Sequence, residues 1–187
     1  YLMSTNIVRG GDARISDPGI DDVVRQVLLP IWNAWSFFAM YANADGVRAT
    51  LRTDSTDVLD RYILAKTRSV VEATTARLDS YDLSGACSEI SSFIDALNNW
   101  YIRRSRDRFW APAAAVDPQV KRDAYDTLYT VLVTLCQVAA PFLPLVADEI
   151  YRGLTTGVAG APDSVHLTDW PDPASLPADP ALVAAMD

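Results

Sequence analysis

The stretch LSGACSEISSFIDALNNWY, residues 83–101, decides the fold class of this 187-residue chain. Its apolar side chains recur at steps of three and four residues, at Leu83, Cys87, Ile90, Ile94, Leu97 and Tyr101. Steps of three and four return to one side of an α-helix because a helical turn takes 3.6 residues. The stretch therefore predicts an amphipathic helix with one side buried in a core.

A similar pattern begins earlier in the chain, after a helix start signal. Asp17 is predicted to be the N-cap and Pro18 the first helical residue. Apolar residues continue from there at helical spacing, and Asp45-Gly46 is typical of a helix end. Pro30 lies inside this pattern. Since proline has no backbone N–H to donate, we expect the helix to be kinked or divided there.

Further helices are predicted along the chain. Ser55-Thr56-Asp57 is expected to cap a second long helix, and Asp117-Pro118 to start a fourth. Pro141 ends that helix, and Pro144 starts a shorter fifth helix that runs to Leu154. Strand-like alternation is absent from the sequence, and the links are short. The sequence therefore predicts an all-α fold, an antiparallel bundle of four to five main helices.

The chain divides into three predicted parts. Residues 1–16 are expected to be a lead-in, and residues 17–154 a helical domain. Residues 155–187 are rich in glycine and proline and are expected to form a loop-rich tail. Within this tail, residues 164–167 are predicted to be extended, and the last ten or so residues to form one more helical turn.

Composition excludes several classes of protein. Hydrophobic residues make up 50% of the chain, which excludes wholesale disorder, and no apolar run is long enough to span a membrane. The net charge of −8 disfavours a non-specific nucleic-acid binder. Two cysteines and one histidine, His166, exclude a Cys/His zinc site within this chain. Cys87 and Cys136 are expected to be buried free thiols in a reducing compartment.

The most unusual segment is NNWYIRRSRDRFW, residues 98–110. Four arginines and one aspartate give it a local charge of 4 − 1 = +3 in an acidic chain. The apolar stripe that includes Tyr101 is expected to continue onto Arg104 and Arg108, which would bring guanidinium groups to that side of the helix. The candidate site residues of this segment are Trp100, Arg103, Arg104, Arg106, Arg108 and Trp110.

Two interpretations of this segment are open. Arginine forks pair with phosphates and base edges, and indole rings stack on splayed bases, so the segment is typical of RNA recognition. Alternatively, the arginines complement the helix dipole and pair with the chain's own carboxylates, while the aromatic rings belong to the core. The residues by themselves favour the second interpretation.

Trp32 and Asn33, close to Pro30, are a second candidate for a recognition site. Indole rings and an amide beside a helix kink could contact RNA. A place in the bundle core is the simpler explanation for them.

Five separated motifs resemble isoleucyl-tRNA synthetase, a class I aminoacyl-tRNA synthetase. They are RGGD at 9–12, VLLPIWNAWSFF at 27–38, DRYIL at 60–64, NWYIRRSRDRFW at 99–110 and VHLTDWP at 165–171. The three at 27–38, 60–64 and 99–110 occur in family order, and the resemblance covers roughly residues 1–171. It implies the helical anticodon-binding domain that comes after the catalytic domain in this family.

The resemblance reverses the preference between the two interpretations, because it implies that the arginine-bearing helix faces tRNA. The implied partners are the anticodon arm of tRNA-Ile and the catalytic domain of the same parent chain, with no membrane. The parent would use ATP and Mg²⁺ to attach isoleucine to tRNA in the cytoplasm. This stretch contains none of the family's catalytic motifs, so no catalytic residue, metal ligand or cofactor is expected in it.

Two other functions remain as alternatives. A helical protein-interaction bundle without an RNA role would require the arginines to pair with the chain's own carboxylates. A free-standing enzyme has no support, since the sequence offers neither a nucleophile with its base nor a metal set nor an acid–base pair.

Overall fold

The computed structural model describes residues 1–12, 15–112 and 116–187, apart from the side chain of Asn6. Residues 13 and 14 of the expected lead-in therefore lie outside the described residues. Within the described ranges the chain forms eight α-helices: α1 Asp17–Val23, α2 Leu29–Asp45, α3 Val58–Asp79, α4 Leu83–Asp95, α5 Arg103–Trp110, α6 Pro118–Ala139, α7 Pro144–Thr155 and α8 Pro180–Met186. No strand occurs among the described residues, and the predicted all-α fold is confirmed. Five helices have twelve or more residues, in agreement with four to five main helices.

Ser16, and not Asp17, caps α1. Ser16 is extended, and its hydroxyl accepts a hydrogen bond from the Gly19 N–H at 3.4 Å. The predicted cap is therefore wrong by one residue, because the serine hydroxyl meets the free N–H of the first turn and Asp17 already has helical bonding. Pro18 lies in this first turn, where a missing N–H costs nothing.

The division of the first helix near Pro30 is confirmed. A wide-turn π segment, Val24–Leu28, separates α1 from α2 just before the proline. Pro30 cannot donate to the carbonyl four residues back, and a wider turn accommodates that loss. Gly46 ends α2 in a left-handed conformation with φ 65°, which glycine adopts without strain.

Helix α6 lies at the centre of the core. Sixteen of its twenty-two residues are buried, so the bundle surrounds it on nearly all sides. Its buried threonines Thr130 and Thr134 donate their hydroxyl hydrogens to carbonyls one turn back, at 2.7 and 2.9 Å. These bonds satisfy the two hydroxyl groups, so α6 can bury polar side chains in addition to its apolar stripe.

The tail packs onto the helices. Val165 and Leu176 are 2% and 4% exposed and belong to the hydrophobic core. The prediction of an extended piece at residues 164–167 is wrong, since Val165–Leu167 is a 3₁₀ turn. Ser164 forms this turn because its hydroxyl accepts the His166 N–H and its carbonyl accepts the Leu167 N–H. The predicted last helical turn is confirmed as α8.

Over the described ranges, no helix is both long and apolar enough to span a bilayer.

Candidate nucleic-acid interface

A second π segment, Ala96–Ile102, decides which side of α5 faces the core. The sequence predicted that the stripe that includes Tyr101 would continue onto Arg104 and Arg108, with their guanidinium groups on that side of the helix. Instead Tyr101, Ser105 and Phe109 are buried and Arg104 is exposed. The prediction is confirmed for Arg108, whose side chain meets the same buried carboxylate as Tyr101, and is wrong for Arg104. A π turn takes more residues than an α turn and rotates every later side chain around the axis. The rotation places Arg103, Arg104 and Arg106 on the outer side of α5.

These three arginines differ from most cations of the chain. Fifteen of the sixteen Lys and Arg residues are described, since Arg14 is not, and ten of the fifteen form ion pairs within the protein. The five described cations without such a pair are Arg48, Arg103, Arg104, Arg106 and Arg152. The outer side of α5 thus carries three of the five described Lys and Arg charges that form no ion pair with a carboxylate of the chain.

Two of the arginines stack on tryptophans. The Arg104 guanidinium carbon lies 3.6 Å from the centre of the Trp100 ring, and that of Arg106 lies 5.4 Å from the Trp110 ring. Such cation–π contacts contribute about 0.5–1 kcal/mol at exposed sites. A guanidinium stacked by its flat face keeps its N–H edge free for phosphate oxygens or base edges. Both guanidinium groups therefore lie against tryptophan rings and not against a carboxylate of the chain.

The two tryptophans are not equivalent. Trp110 is 51% exposed, and its ring centre lies 6.4 Å from that of Tyr41. Trp100 is only partly exposed, and its indole nitrogen is buried. Trp110 can offer its ring to a base, whereas Trp100 mainly supports Arg104.

Arg108 points the other way, toward the bundle. Its two terminal nitrogens each lie 2.7 Å from one oxygen of Asp60, a fully buried residue at the start of α3. Burial by itself lowers the pKa of Arg108, but the hydrogen bonds and charge of Asp60 outweigh it, and the pKa is raised. Because the protein's own carboxylate engages Arg108, this position favours the structural interpretation for that one arginine.

Trp32 and Asn33 lie away from the arginines, on the exposed side of the first turns of α2. The Trp32 ring meets Trp35 edge-on at 4.8 Å, and Trp32 is 40% exposed. Tyr41, which contacts Trp110, lies nine residues further along the same helix, a distance of about 13 Å. The structure therefore does not bring this pair into contact with the arginine cluster.

Three residues near the arginines were not singled out from the sequence. Tyr41 lies beside Trp110, and Asp60 holds Arg108. Ser105 is buried between exposed arginines. Asp60 had a weak signal, since it stands three residues after the cap residue Asp57, where an acidic side chain usually only complements the helix dipole.

The described residues offer little for metal binding or thiol chemistry. Among the described residues, no group of His, Cys, Asp and Glu side chains is arranged to hold a metal ion. Cys136 is buried and Cys87 partly so, and burial raises the pKa of both thiols.

Comparison with known proteins shows the family of the chain. The family model described as anticodon-binding domain of tRNA ligase matches residues 60–187, which run from the first turn of α3 through α5 to the end of the tail. The chain belongs to this family.

Curated relatives of this anticodon-binding domain are isoleucine–tRNA ligases. The protein from Leifsonia xyli subsp. xyli is 56% identical, and those from Nocardia farcinica and Mycobacterium tuberculosis are each 50% identical. Each match covers 100% of this chain but only 16% of the relative. The resemblance stated from the sequence motifs is confirmed, and the chain spans about a sixth of the curated relatives that it matches.

Proposed function

We propose that this chain is the anticodon-binding domain of an isoleucine–tRNA ligase and that the outer side of α5 binds the anticodon arm of tRNA-Ile. The observation that carries the proposal is the group of three exposed arginines, Arg103, Arg104 and Arg106, which have no ion-pair partner among the described residues. In a chain of net charge −8, a concentration of unpaired positive charge on one short helix is supportive of a polyanionic ligand.

In the proposed mechanism, phosphate contacts supply most of the affinity. Each arginine that neutralises a phosphate releases condensed counterions, so binding weakens as salt rises. Trp110 offers an exposed indole on which an unstacked base of the anticodon loop can lie. The domain would thus hold the anticodon arm while the acceptor end of the tRNA reaches the distant catalytic domain.

The chemistry of the parent lies outside this stretch. In the parent ligase, ATP and Mg²⁺ would serve the activation of isoleucine in the catalytic domain, and the residues described here take no part in that step. The cytoplasm, where translation takes place, is the proposed location.

We also propose that the lead-in and the first turn of α2 contact the catalytic domain of the same parent chain. The support is a group of exposed apolar side chains close together in the sequence: Leu2, Met3, Ile7, Val8, Ile15, Ile20, Leu29 and Trp32. Where exposed apolar groups form a contiguous patch, they usually mark an interaction surface. This role gives Trp32 a partner other than RNA.

A protein-interaction bundle without an RNA role is the second candidate. It expects the arginines to pair with the chain's own carboxylates, and Arg108 does so. Arg103, Arg104 and Arg106 do not, which makes this candidate the weaker one.

The test is a titration with unmodified tRNA-Ile transcript at several salt concentrations, beside a non-cognate tRNA, monitored by tryptophan fluorescence. Binding that weakens with salt and favours the cognate transcript supports the proposal. Equal binding of both transcripts would mean that the domain contacts the RNA backbone without recognising the sequence. Absence of binding at low salt would contradict the claim that this stretch binds tRNA by itself.

A further inference from the structure

A single buried carboxylate lies behind the arginine cluster. Both oxygens of Asp60, which is 0% exposed, accept hydrogen bonds from Arg108 at 2.7 Å. The Tyr101 hydroxyl donates to one oxygen at 2.8 Å, and the Ser55 hydroxyl donates to the other at 2.7 Å. Four charge-assisted hydrogen bonds thus converge on one side chain.

The donors come from separate elements. Arg108 belongs to α5, Tyr101 to the π segment before it, and Ser55 to the loop before α3. Arg108 also donates to the Val120 carbonyl of α6 at 3.1 Å. The Asp60 network therefore connects α5 to both α3 and α6.

Helix α5 depends on such connections. It has eight residues, and isolated helices of this length are not stable in water. The π segment before it interrupts the regular hydrogen bonding. The stretch from Trp100 to Arg108 also contains three of the four buried side-chain polar atoms that have no hydrogen-bond partner among the described residues. Local bonding alone leaves the orientation of α5 weakly determined, so contacts with other helices must complete it: the packing of Phe109 against Phe37 and Tyr125, and the Asp60 network.

The two sides of α5 are rigidly coupled. Arg108 lies on the inner side, while Arg103, Arg104 and Arg106 lie on the outer side of the same two turns. Whatever fixes the rotation of Arg108 about the helix axis also fixes the direction of the other three side chains.

We propose that Asp60 and Arg108 are positioning residues for RNA binding: their buried ion pair orients α5 so that its three unpaired arginines face the phosphates together. The proposal rests on the proposed function. It adds that RNA affinity depends on a negatively charged residue, Asp60. Tyr101 and Ser55 assist by holding the Asp60 carboxylate in place.

Asp60→Asn tests the proposal because positioning and simple electrostatics predict opposite signs. Removal of a negative charge near an RNA site should tighten binding if charge alone matters. If Asp60 positions α5, the same change should weaken binding of a tRNA-Ile transcript, by about tenfold, as expected when one or two phosphate contacts are lost. Tighter binding by Asp60→Asn would overturn the proposal.

Asp107→Asn is the matched control. Asp107 is exposed on α5 and has no ion-pair partner among the described residues, so the same substitution removes the same charge without touching the network. We expect it to tighten binding about two- to threefold. A thermal melt establishes that each variant is folded; should Asp60→Asn not fold, Tyr101→Phe, which removes one hydrogen bond, replaces it with the same expected sign.

Two further measurements separate positioning from a merely structural role. In a background of Arg103→Ala, Arg104→Ala and Arg106→Ala, Asp60→Asn should have no further effect on RNA affinity; an undiminished effect would overturn the proposal. Without RNA, Asp60→Asn should accelerate amide hydrogen exchange in residues 103–110 relative to α6. Unchanged exchange in Asp60→Asn would overturn the positioning role of Asp60, even if the native chain binds tRNA. Accelerated exchange, together with no tRNA binding by the native chain, would contradict only the proposed function.

Discussion

The sharpest prediction concerns the salt dependence of RNA binding when Arg103, Arg104 and Arg106 are all replaced by alanine. Each phosphate contact contributes about 0.9 to the slope of log affinity against log salt on duplex, and about 0.7 on single strands. Three lost contacts should flatten the slope by about 2 to 2.7. Between 50 and 200 mM salt, the native chain should then lose about 20- to 40-fold more affinity than the variant.

A charge-matched control makes this prediction specific. Arg25, Arg61 and Arg77 are exposed, and each is already paired with a carboxylate of the chain, at 3.2, 2.7 and 3.0 Å respectively. Replacing these three by alanine changes the net charge by the same amount, from −8 to −8 − 3 = −11. General repulsion should weaken binding similarly in both variants, but only the α5 variant should lose salt slope.

The assay is fluorescence anisotropy of an end-labelled anticodon stem-loop at four or more salt concentrations. Labelling the RNA avoids the change that loss of Arg104 causes in the emission of Trp100, on which it stacks. Equal slopes for the two triple variants would refute the reasoning that unpaired arginines mark the RNA-binding side of α5.

Three further predictions concern the scaffold. A Cβ at Gly153 would lie 2.7 Å from the Trp35 ring. Gly153→Ala should therefore destabilise the fold by about 1–3 kcal/mol, although alanine has the better helix propensity. A higher melting temperature of this variant would contradict the packing. The Ser164 hydroxyl and the Val165 N–H hold the pKa of Asp148 below its usual range; its contribution to stability is therefore present above about pH 4 and lost as the pH falls through the lowered value. Acid unfolding of Asp148→Asn should lack that component, and an unchanged acid transition would show that the tail does not depend on this contact. Burial raises the pKa of Cys136, so a thiol reagent at neutral pH should modify it only as fast as the chain unfolds; rapid labelling of the native protein would refute its burial.

Much of the architecture results from local chemistry. Gly46 ends α2 because it adopts a left-handed conformation, and Asp57 caps α3 with hydrogen bonds to two backbone N–H groups. Pro30 interrupts the first helix because it has no N–H to donate. Such signals act within one or two turns, so a sequence displays them directly. The family could also be recognised from the sequence, since each of its motifs is a contiguous stretch of residues.

The arrangement of the arginines could not be read in the same way. A regular helical count places Arg104 and Arg108 on one side, but the π segment Ala96–Ile102 rotates all the side chains of α5 about the helix axis. After the wider turn, Tyr101 contacts Asp60 of α3 and Phe109 packs against Tyr125 of α6, and no local pattern encodes these distant contacts. The burial of Asp60 likewise results from elements distant in the chain.

The sequence by itself therefore determined the helices, their main boundaries, the family and the short segment in which positive charge concentrates. Only the tertiary structure decided which of four similar arginines is structural and which three are free. The physical reason is that an ion pair forms between groups brought together in space: Arg108 and Asp60 are 48 residues apart in sequence and 2.7 Å apart in the fold.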